Sequence, residues 1–418
     1  MPALRLPPAL KHRKFTLLWA GLFVSVAGSQ MQLWALFWHI RTLSDQPVAV
    51  SGVGVARFVP ILVLSLFAGL VADRYNRRRV MLLTQSIMLL TALALAGLTA
   101  AGEIRLWHIY LLTAIQAMAI SFDTPARQAL VPNLLPKEDL PSAFSLNSIA
   151  QTTGAIVGPA LSGVVIAYAG QEFTYLFNAL SYSGVVLALI LMGQVPQQKA
   201  VRRSPSTSGI DWEAIKEGIR FIWRSPIILS SMLLDFMATF FSSANTLLPF
   251  VAQDILRVGP VAYGWLAGAQ AIGGILAGLT LSQRSNLRRQ GSLLLWAVVW
   301  FGVATIVFGI SRSFPLTFIT LALIGGADAV STILRNTIRQ LQTPDMIRGR
   351  MVSINQIFFM GGPQLGEIEA GLVAQAFGIP AAIVTGGLGC ILAVGLVAWR
   401  WPQLRRFNGD EPVLAGAT

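Results

Sequence analysis

Residues 69–79 read Gly69-Leu-Val-Ala-Asp73-Arg74-Tyr-Asn76-Arg77-Arg78-Arg79. This charged stretch joins two long apolar runs, Val48–Ala72 and Val80–Gly102, which contain a single charged residue between them, Arg57. A membrane-spanning helix needs about 20 predominantly apolar residues. The stretch is therefore predicted to be a tight loop at a membrane surface between two spanning helices.

The composition of the 418-residue chain also indicates a membrane protein. Hydrophobic residues make up 54% and charged residues 12%, against about 25% charged residues in soluble proteins. The single cysteine excludes an internal disulfide framework, a cysteine-based zinc site and an iron–sulfur cluster, and the three histidines are scattered. We expect neither a metal nor a cofactor, and no enzyme active site.

Apolar runs long enough to cross a bilayer recur twelve times and leave no room for a soluble domain. Five of them carry isolated charges, which bear on function. The predicted spans are Phe15–Ile40, Val48–Ala72, Val80–Gly102, Leu106–Gln128, Leu140–Gln171, Phe173–Gln198, Pro226–Gln253, Val258–Gln283, Gln290–Ser311, Phe314–Asn336, Met351–Phe377 and the part of Ala370–Trp399 that follows Gly378.

The formal net charge of +13 has two interpretations, a nucleic-acid partner or a membrane topology signal. With the N-terminus placed in the cytoplasm, 26 of the 31 Lys and Arg residues fall on the cytoplasmic side. Four fall on the opposite side, and Arg57 lies within a span. Cytoplasmic loops carry such an excess of basic residues. The distribution of basic residues therefore favours a lipid bilayer over a nucleic acid as the partner. It also predicts that both termini lie in the cytoplasm.

The two halves of the chain repeat each other at an offset of 208 residues. Glycine, proline, asparagine and arginine dominate the matches, which are Arg127 with Arg335, Pro136 with Pro344, Asn147 with Asn355, Gly154 with Gly362, Gly158 with Gly366, Gly163 with Gly371 and Gly170 with Gly378. Parallel repeats of six spanning helices are typical of transporters. The sequence predicts an all-α membrane protein of twelve transmembrane helices in two six-helix pseudo-repeat bundles.

Three segments follow from this organisation: an N-terminal bundle over residues 1–194, a cytoplasmic linker over 195–224 and a C-terminal bundle over 225–418. The linker ends in DWEAIKEGIRFIWR, which is apolar at helical spacing on one face. That pattern predicts an amphipathic helix on the membrane surface. An ordinary solvated connector helix is the alternative.

The opening stretch resembles the signature loop of the major facilitator superfamily, G-x-x-x-D-R/K-x-G-R/K-R/K. The matching residues are Gly69, Asp73, Arg74, Arg77 and Arg78, and Asn76 stands where the superfamily has glycine. Asparagine tolerates a left-handed backbone better than most residues, so we expect the turn to persist. The resemblance implies a cytoplasmic gate, whereas a plain basic loop is the alternative.

A second stretch, Gly154-x-x-x-Gly158-Pro159-x-x-x-Gly163, is similar to the superfamily's antiporter motif, which is associated with exporters. Generic close packing of helices is the alternative interpretation. Residues 72–83, 122–132, 217–226 and 340–355 further resemble the bacterial branch that contains the enterobactin exporter and macrolide-efflux-like proteins.

This resemblance implies a monomeric inner-membrane transporter that exports a bulky amphipathic molecule, a siderophore or a drug, by alternating access. Proton antiport is the expected driving force, since no G-x-x-x-x-G-K-[ST] nucleotide-binding motif is present. The alternatives are uptake of a siderophore or nutrient, and a passive lipid flippase or membrane sensor on the same fold.

Ionisable residues inside spans need a partner or a function because their burial is costly. Asp235 lies about 13 Å into its span and is predicted to bind a proton or substrate, although a buried polar anchor is the alternative. Asp123 and Arg127 share a helix face and could complete the cytoplasmic gate. An Arg127 side chain that extends to the lipid surface is the alternative. Asp328 lies two turns before Arg335 on one face of its span and is predicted to take part in proton coupling or to line the cavity.

Arg57, Glu367 and Glu369 lie deep in the second and eleventh predicted spans. These two spans meet in the superfamily. We therefore predict that Arg57 pairs with Glu367 or Glu369 and that protonation of the glutamate breaks the pair. Glutamates that face a wet cavity separately are the alternative.

Overall fold

The computed structural model describes residues 7–195, 212–241, 243–283, 288–344, 348–409 and 411. Within these ranges, the description omits the side chains of residues 65, 66, 69, 70, 72, 73, 212–215, 217, 218, 244, 348–350, 352–354 and 356–360.

Helices account for nearly all of the described chain. They are α1 (Arg13–Leu43), α2 (Val48–Arg74), α3 (Arg77–Ala100), α4 (Leu106–Leu130), α5 (Leu140–Tyr168), α6 (Gln171–Met192), α7 (Trp212–Arg224), α8 (Pro226–Phe241), α9 (Leu248–Phe250), α10 (Pro260–Ser282), α11 (Gln290–Ile310), α12 (Phe314–Gln342), α13 (Arg348–Phe377), α14 (Ile379–Arg400) and α15 (Pro402–Arg406). A 3-10 turn, Ser243–Leu247, and a π-helical turn, Val251–Ile255, continue the span that α8 begins.

Nine helical segments in the described residues are long and apolar enough to cross a membrane. Three more helices, α2, α4 and α13, have 27, 25 and 30 residues and are therefore also long enough. All three carry ionisable residues inside the helix. Together they make up the twelve spans predicted from the sequence, and the all-α fold is confirmed.

The repeat between the halves is visible in the packing of matched glycines. Gly154 and Gly158 of α5 lie against the backbone of α1. Their repeat mates on α13, Gly362 and Gly366, lie against α8. Since α1 and α8 are the first spans of the two halves, equivalent glycines hold equivalent helix pairs together.

The next pair of matched glycines continues the pattern. Gly163 of α5 packs against the backbone of Pro260 and Gly264 in α10, whereas Gly371 of α13 packs against Ser51 in α2. The hydroxyl of Ser51 also donates a hydrogen bond to the carbonyl oxygen of Ile368 at 2.9 Å. Small residues at these positions allow the helix backbones to approach closely.

The turns after α5 and α13 use the last matched pair. Gly170 has φ +104° and Gly378 has φ +89°, a backbone conformation that residues with a side chain rarely adopt. This requirement explains why both halves keep glycine at this point of the repeat.

The chain divides into two compact units. Unit 1 contains Met1–Asp45, Ala56–Ser206 and Gly259–Gly268, and unit 2 contains Gln46–Val55, Thr207–Val258 and Ala269–Thr418. Each unit has its own apolar core, formed around Phe15, Met81 and Leu189 in unit 1 and around Leu234 and Leu334 in unit 2. The predicted linker, 195–224, includes residues 196–211, which lie outside the described residues.

The predicted amphipathic helix is present as α7. Its Ile222 is buried in unit 2 with Ile228 and Met232 of α8 and Met351 of α13. Trp223 of the same helix is 70% exposed. One side of α7 therefore packs on unit 2, and its place at the membrane surface stays a prediction.

Candidate transport site

Three charged side chains are buried together between α8 and α12 of unit 2. The Asp235 carboxylate lies 3.1 Å from Nη2 of Arg335 through Oδ1 and 3.0 Å from Nη2 of Arg339 through Oδ2. None of the three residues is more than 3% exposed. A buried carboxylate between two guanidinium groups replaces the water it has lost with two opposite charges.

A fourth charge links this cluster to the surface of the unit. Asp328 Oδ1 lies 3.6 Å from Nη2 of Arg335, and the Asp328 side chain is 52% exposed. Spacings of seven and four residues place Asp328, Arg335 and Arg339 on one face of α12. We name Asp235, Asp328, Arg335 and Arg339 the charge cluster; its formal charge is zero when all four groups are ionised.

Neutral groups complete the surroundings of the charge cluster. Arg339 donates through Nη2 to the Ser231 carbonyl oxygen at 3.2 Å, and Arg335 donates through Nη2 to Thr332 Oγ1 at 2.8 Å. Nε and Nη1 of Arg335 and Oγ of Ser331 are buried without a hydrogen-bond partner in the described part of the chain. The donors of Arg335 are thus only partly used in this arrangement.

The sequence pattern predicted Asp235 and Asp328 as functional residues and placed Arg335 on the same face as Asp328, but it did not predict the partners of Asp235. Arg335 and Arg339 are among the 26 basic residues that the charge count places on the cytoplasmic side, and both are buried against Asp235. The signal for the cluster was the shared face of Asp328, Arg335 and Arg339 on α12. Which neighbouring helix this face meets is not encoded in its periodicity.

Unit 1 also contains a buried carboxylate, Asp123 of α4. Its Oδ1 accepts hydrogen bonds from Thr84 Oγ1 at 2.9 Å and Gln85 Nε2 at 3.0 Å. Arg127 Nε lies 4.0 Å from Asp123 Oδ2, at the outer limit of an ion pair. The predicted proximity of Asp123 and Arg127 is therefore present, but α3 supplies the closer partners.

Two arginines of the signature loop bind the ends of other helices. Arg77 Nη1 donates to the Ala129 carbonyl oxygen at 2.9 Å, and Arg78 Nε donates to the Leu189 carbonyl oxygen at 2.6 Å. These carbonyls belong to the last turns of α4 and α6, where backbone acceptors lack helical partners. The loop therefore ties the start of α3 to the ends of two neighbouring helices.

Asn76 does not use the left-handed backbone that its place in the motif led us to expect. Its φ is −66°, and its Oδ1 accepts a hydrogen bond from the Arg79 amide at 3.2 Å, which caps α3. The turn thus depends on a capping side chain. Gly69 and Asp73 lie in α2, and Arg74 is exposed; the Asp73 side chain is outside the described ones.

A chain of neutral hydrogen bonds joins α1, α4 and α6 inside unit 1. Gln32 donates to Gln116 at 2.9 Å and accepts from Asn178 at 2.7 Å. Gln116 donates to the Tyr182 hydroxyl at 2.8 Å, and Tyr182 bonds Ser29 at 3.0 Å. Tyr182 and Asn178 had no recognisable sequence signal, because they occur within an unbroken apolar helix.

The antiporter-type motif contributes packing and no ligand-binding side chain. Gly154, Gly158 and Gly163 lie against α1 and α10, and the Pro159 carbonyl oxygen faces Gly264. This geometry agrees with either interpretation of the motif, so its value as a signal of transport direction stays a prediction.

The predicted pairing of Arg57 with Glu367 or Glu369 joins residues assigned to different units and stays a prediction. Arg57 lies in the part of α2 that belongs to unit 1. Glu367 is 7% exposed within unit 2, and Glu369 is partly buried.

Across the described residues, no three His, Cys, Asp or Glu side chains form a group that could hold a metal ion.

The chain resembles known transporters over nearly its whole length. Residues 6–412 match the family model described as transmembrane secretion effector, which covers nearly the whole chain. The chain belongs to this family of the major facilitator superfamily. The protein is therefore a multi-pass membrane transporter, not an enzyme.

Individual relatives agree with this assignment. The chain is 28% identical over 391 residues to the multidrug efflux pump Tap of Mycolicibacterium fortuitum, covering 91% of this chain and 94% of Tap. It is 28% identical to the enterobactin exporter EntS of Citrobacter koseri, covering 97% and 96% of the two chains. A solved POT family transporter matches with a TM-score of 0.70 at 11% identity over 92% of this chain and 96% of its own.

Proposed function

We propose that this transporter exports a bulky amphipathic small molecule, a siderophore or a drug, across the bacterial inner membrane by alternating access and proton antiport. The observation that carries the proposal is the charge cluster in α8 and α12. Ionisable residues inside a membrane are costly and mark substrate pathways and proton relays. The names of the relatives Tap and EntS support the substrate class and the direction. We propose a monomer with both termini in the cytoplasm.

Asp328 is the proton-carrying group in this proposal because its side chain is the accessible carboxylate of the cluster. Asp328 and Asp235 share the guanidinium of Arg335. A proton on Asp328 removes one of the two negative charges, so Arg335 then interacts with Asp235 alone. Protonation thereby changes the balance of forces between α8 and α12, which couples the proton to a conformational equilibrium.

Other predicted residues keep their proposed roles. Asp123 and Arg127, with Gly69, Asp73, Arg74, Arg77 and Arg78, form the proposed cytoplasmic gate. Arg57, Glu367 and Glu369 contribute to the proposed proton coupling. Replacing Arg57 with alanine tests that role, and unchanged transport with an unchanged pH dependence would remove Arg57 from the mechanism.

The cellular test uses a bacterial strain that lacks its own siderophore exporter and drug efflux pumps. Expression of the wild-type chain is expected to increase secreted siderophore or to raise the drug concentration that stops growth, relative to the empty vector. Membrane fractions confirm that the protein is present. If neither phenotype appears in a strain that makes the protein, the export proposal is wrong.

Vesicle orientation separates the alternatives. Export predicts gradient-dependent accumulation in everted vesicles, whereas uptake of a siderophore or nutrient predicts accumulation in right-side-out vesicles. A passive lipid flippase or a sensor predicts accumulation of the small molecule in neither.

Replacing Asp328 with asparagine is expected to abolish the stimulation of transport by a proton gradient. The substitution removes the titratable group but leaves the Asp235 ion pairs with Arg335 and Arg339 in place. Initial transport rates in proteoliposomes are measured with and without an imposed pH gradient. Glu103→Gln, at an exposed carboxylate outside the helices, is the control. A gradient response of wild-type size in Asp328→Asn would exclude Asp328 as the proton carrier.

A further inference from the structure

An apolar groove opens between α2, α3 and α4 within unit 1. Its volume is about 720 Å³, within the range of roughly 300–1,000 Å³ of pockets that hold whole small molecules. Leu64 and Val71 of α2, Leu83 and Ile87 of α3 and Phe122 of α4 are among the side chains that line it. The neutral network and the charge cluster do not line this groove.

Tyr75 and Asn76 of the α2–α3 connection and Arg79 of the first turn of α3 line one end of the groove. Arg77 and Arg78 of the same turn bind carbonyls in the last turns of α4 and α6. Arg79 is exposed, and its guanidinium forms neither a hydrogen bond nor an ion pair with the described part of the chain. The groove therefore combines apolar walls with one available cation at its mouth.

We propose that this groove binds one acyl chain of an anionic phospholipid whose phosphate pairs with Arg79. Since α2 and α3 are both spanning helices, we expect the connection between them at the level of the lipid headgroups, and the apolar walls extend from it along the helices. A basic residue at that level attracts anionic lipids. A free anion would leave the apolar walls uncovered, and an uncharged lipid would leave Arg79 without a partner.

The occupant would also protect a buried hydrogen bond. Thr84 lines the groove and donates to Asp123. An acyl chain beside Thr84 excludes water from this bond and fills the space between α2 and the α3–α4 pair. The lipid site is therefore adjacent to the buried carboxylate of unit 1. Lipid binding at this site can be measured whether or not the protein exports a small molecule.

The test is native mass spectrometry of the purified full chain in detergent, titrated with phosphatidylglycerol, phosphatidylcholine or glycerol phosphate. Arg79→Gln is compared with Arg405→Gln, which removes an exposed arginine from α15. Leu83→Asn is compared with Leu90→Asn, since these leucines of α3 are 64% and 63% exposed but Leu90 does not line the groove. Thermal unfolding confirms that each variant is folded.

Wild-type protein is expected to bind one phosphatidylglycerol in preference to phosphatidylcholine. Arg79→Gln should weaken that binding about fivefold, the effect of one basic residue near an anionic surface. Leu83→Asn should also weaken it, and Arg405→Gln and Leu90→Asn should not. Equal binding by each variant and its control would overturn the proposal. Displacement of the lipid by glycerol phosphate would also overturn it, since it would indicate an anion site that needs no acyl chain.

Discussion

Replacing Asp235 with alanine is expected to destabilise unit 2 by about 3–5 kcal/mol and to abolish transport. The substitution leaves Arg335 and Arg339 buried without their shared counter-charge. The measurement uses Cys390, the one cysteine of the chain, which is fully buried in α14 of unit 2. A maleimide dye that fluoresces on reaction with the thiol reports unfolding as the protein is heated.

Asp328→Ala is the matched control. It also removes a carboxylate that contacts Arg335, but the Asp328 side chain is half-exposed. We expect it to cost no more than about 1 kcal/mol. Combining Asp235→Asn with Arg339→Gln should recover part of the stability that Asp235→Asn loses, since one buried positive charge is removed as well. Equal unfolding temperatures for Asp235→Ala and Asp328→Ala would contradict the account of the charge cluster.

Replacing Gly158 with alanine is expected to separate α5 from α1 and to reduce both stability and export. A Cβ atom at this position would lie 2.5 Å from Gln30 Cβ and 2.8 Å from the Ala27 carbonyl oxygen. Overpacking of this kind costs about 1–3 kcal/mol, and a backbone oxygen can move less than a side chain. Light scattering on heating and export from cells are the measurements.

Gly184→Ala on α6 provides the comparison, because a Cβ there would meet no atom within 4 Å. Alanine favours a helix interior over glycine by about 1 kcal/mol, so this control should be as stable as the wild type or more so. If Gly158→Ala unfolds at or above the temperature of Gly184→Ala, the close contact of α5 with α1 is not required.

Much of the fold could be predicted from the sequence because helices in a membrane satisfy their own backbone hydrogen bonds. Apolar runs therefore mark spans, and the charges between them mark loops. The repeat was predictable because glycine is kept where the backbone requires it. Gly170 and Gly378 both have a backbone conformation that other residues rarely adopt. Local chemistry decides these features, so one sequence is sufficient to detect them.

The partners in the charge cluster could not be predicted in this way. Asp235 and Arg339 are 104 residues apart, and their contact depends on how α8 packs against α12. Helical spacing predicts which residues share a face but not which helix the face meets. Asp123 shows the same limit, because its neighbour Arg127 was predictable from i,i+4 spacing and its closer partner Thr84, 39 residues away, was not.

The most direct test of the central claim, proton-driven export through the charge cluster, is accumulation of a siderophore or drug by everted membrane vesicles during respiration. We expect the wild-type protein to accumulate the compound only while the vesicle interior is acid, and addition of the compound to dissipate part of the pH gradient. Vesicles that contain Asp328→Asn should show neither response. Accumulation that continues at the wild-type rate after the gradient is collapsed would contradict the account.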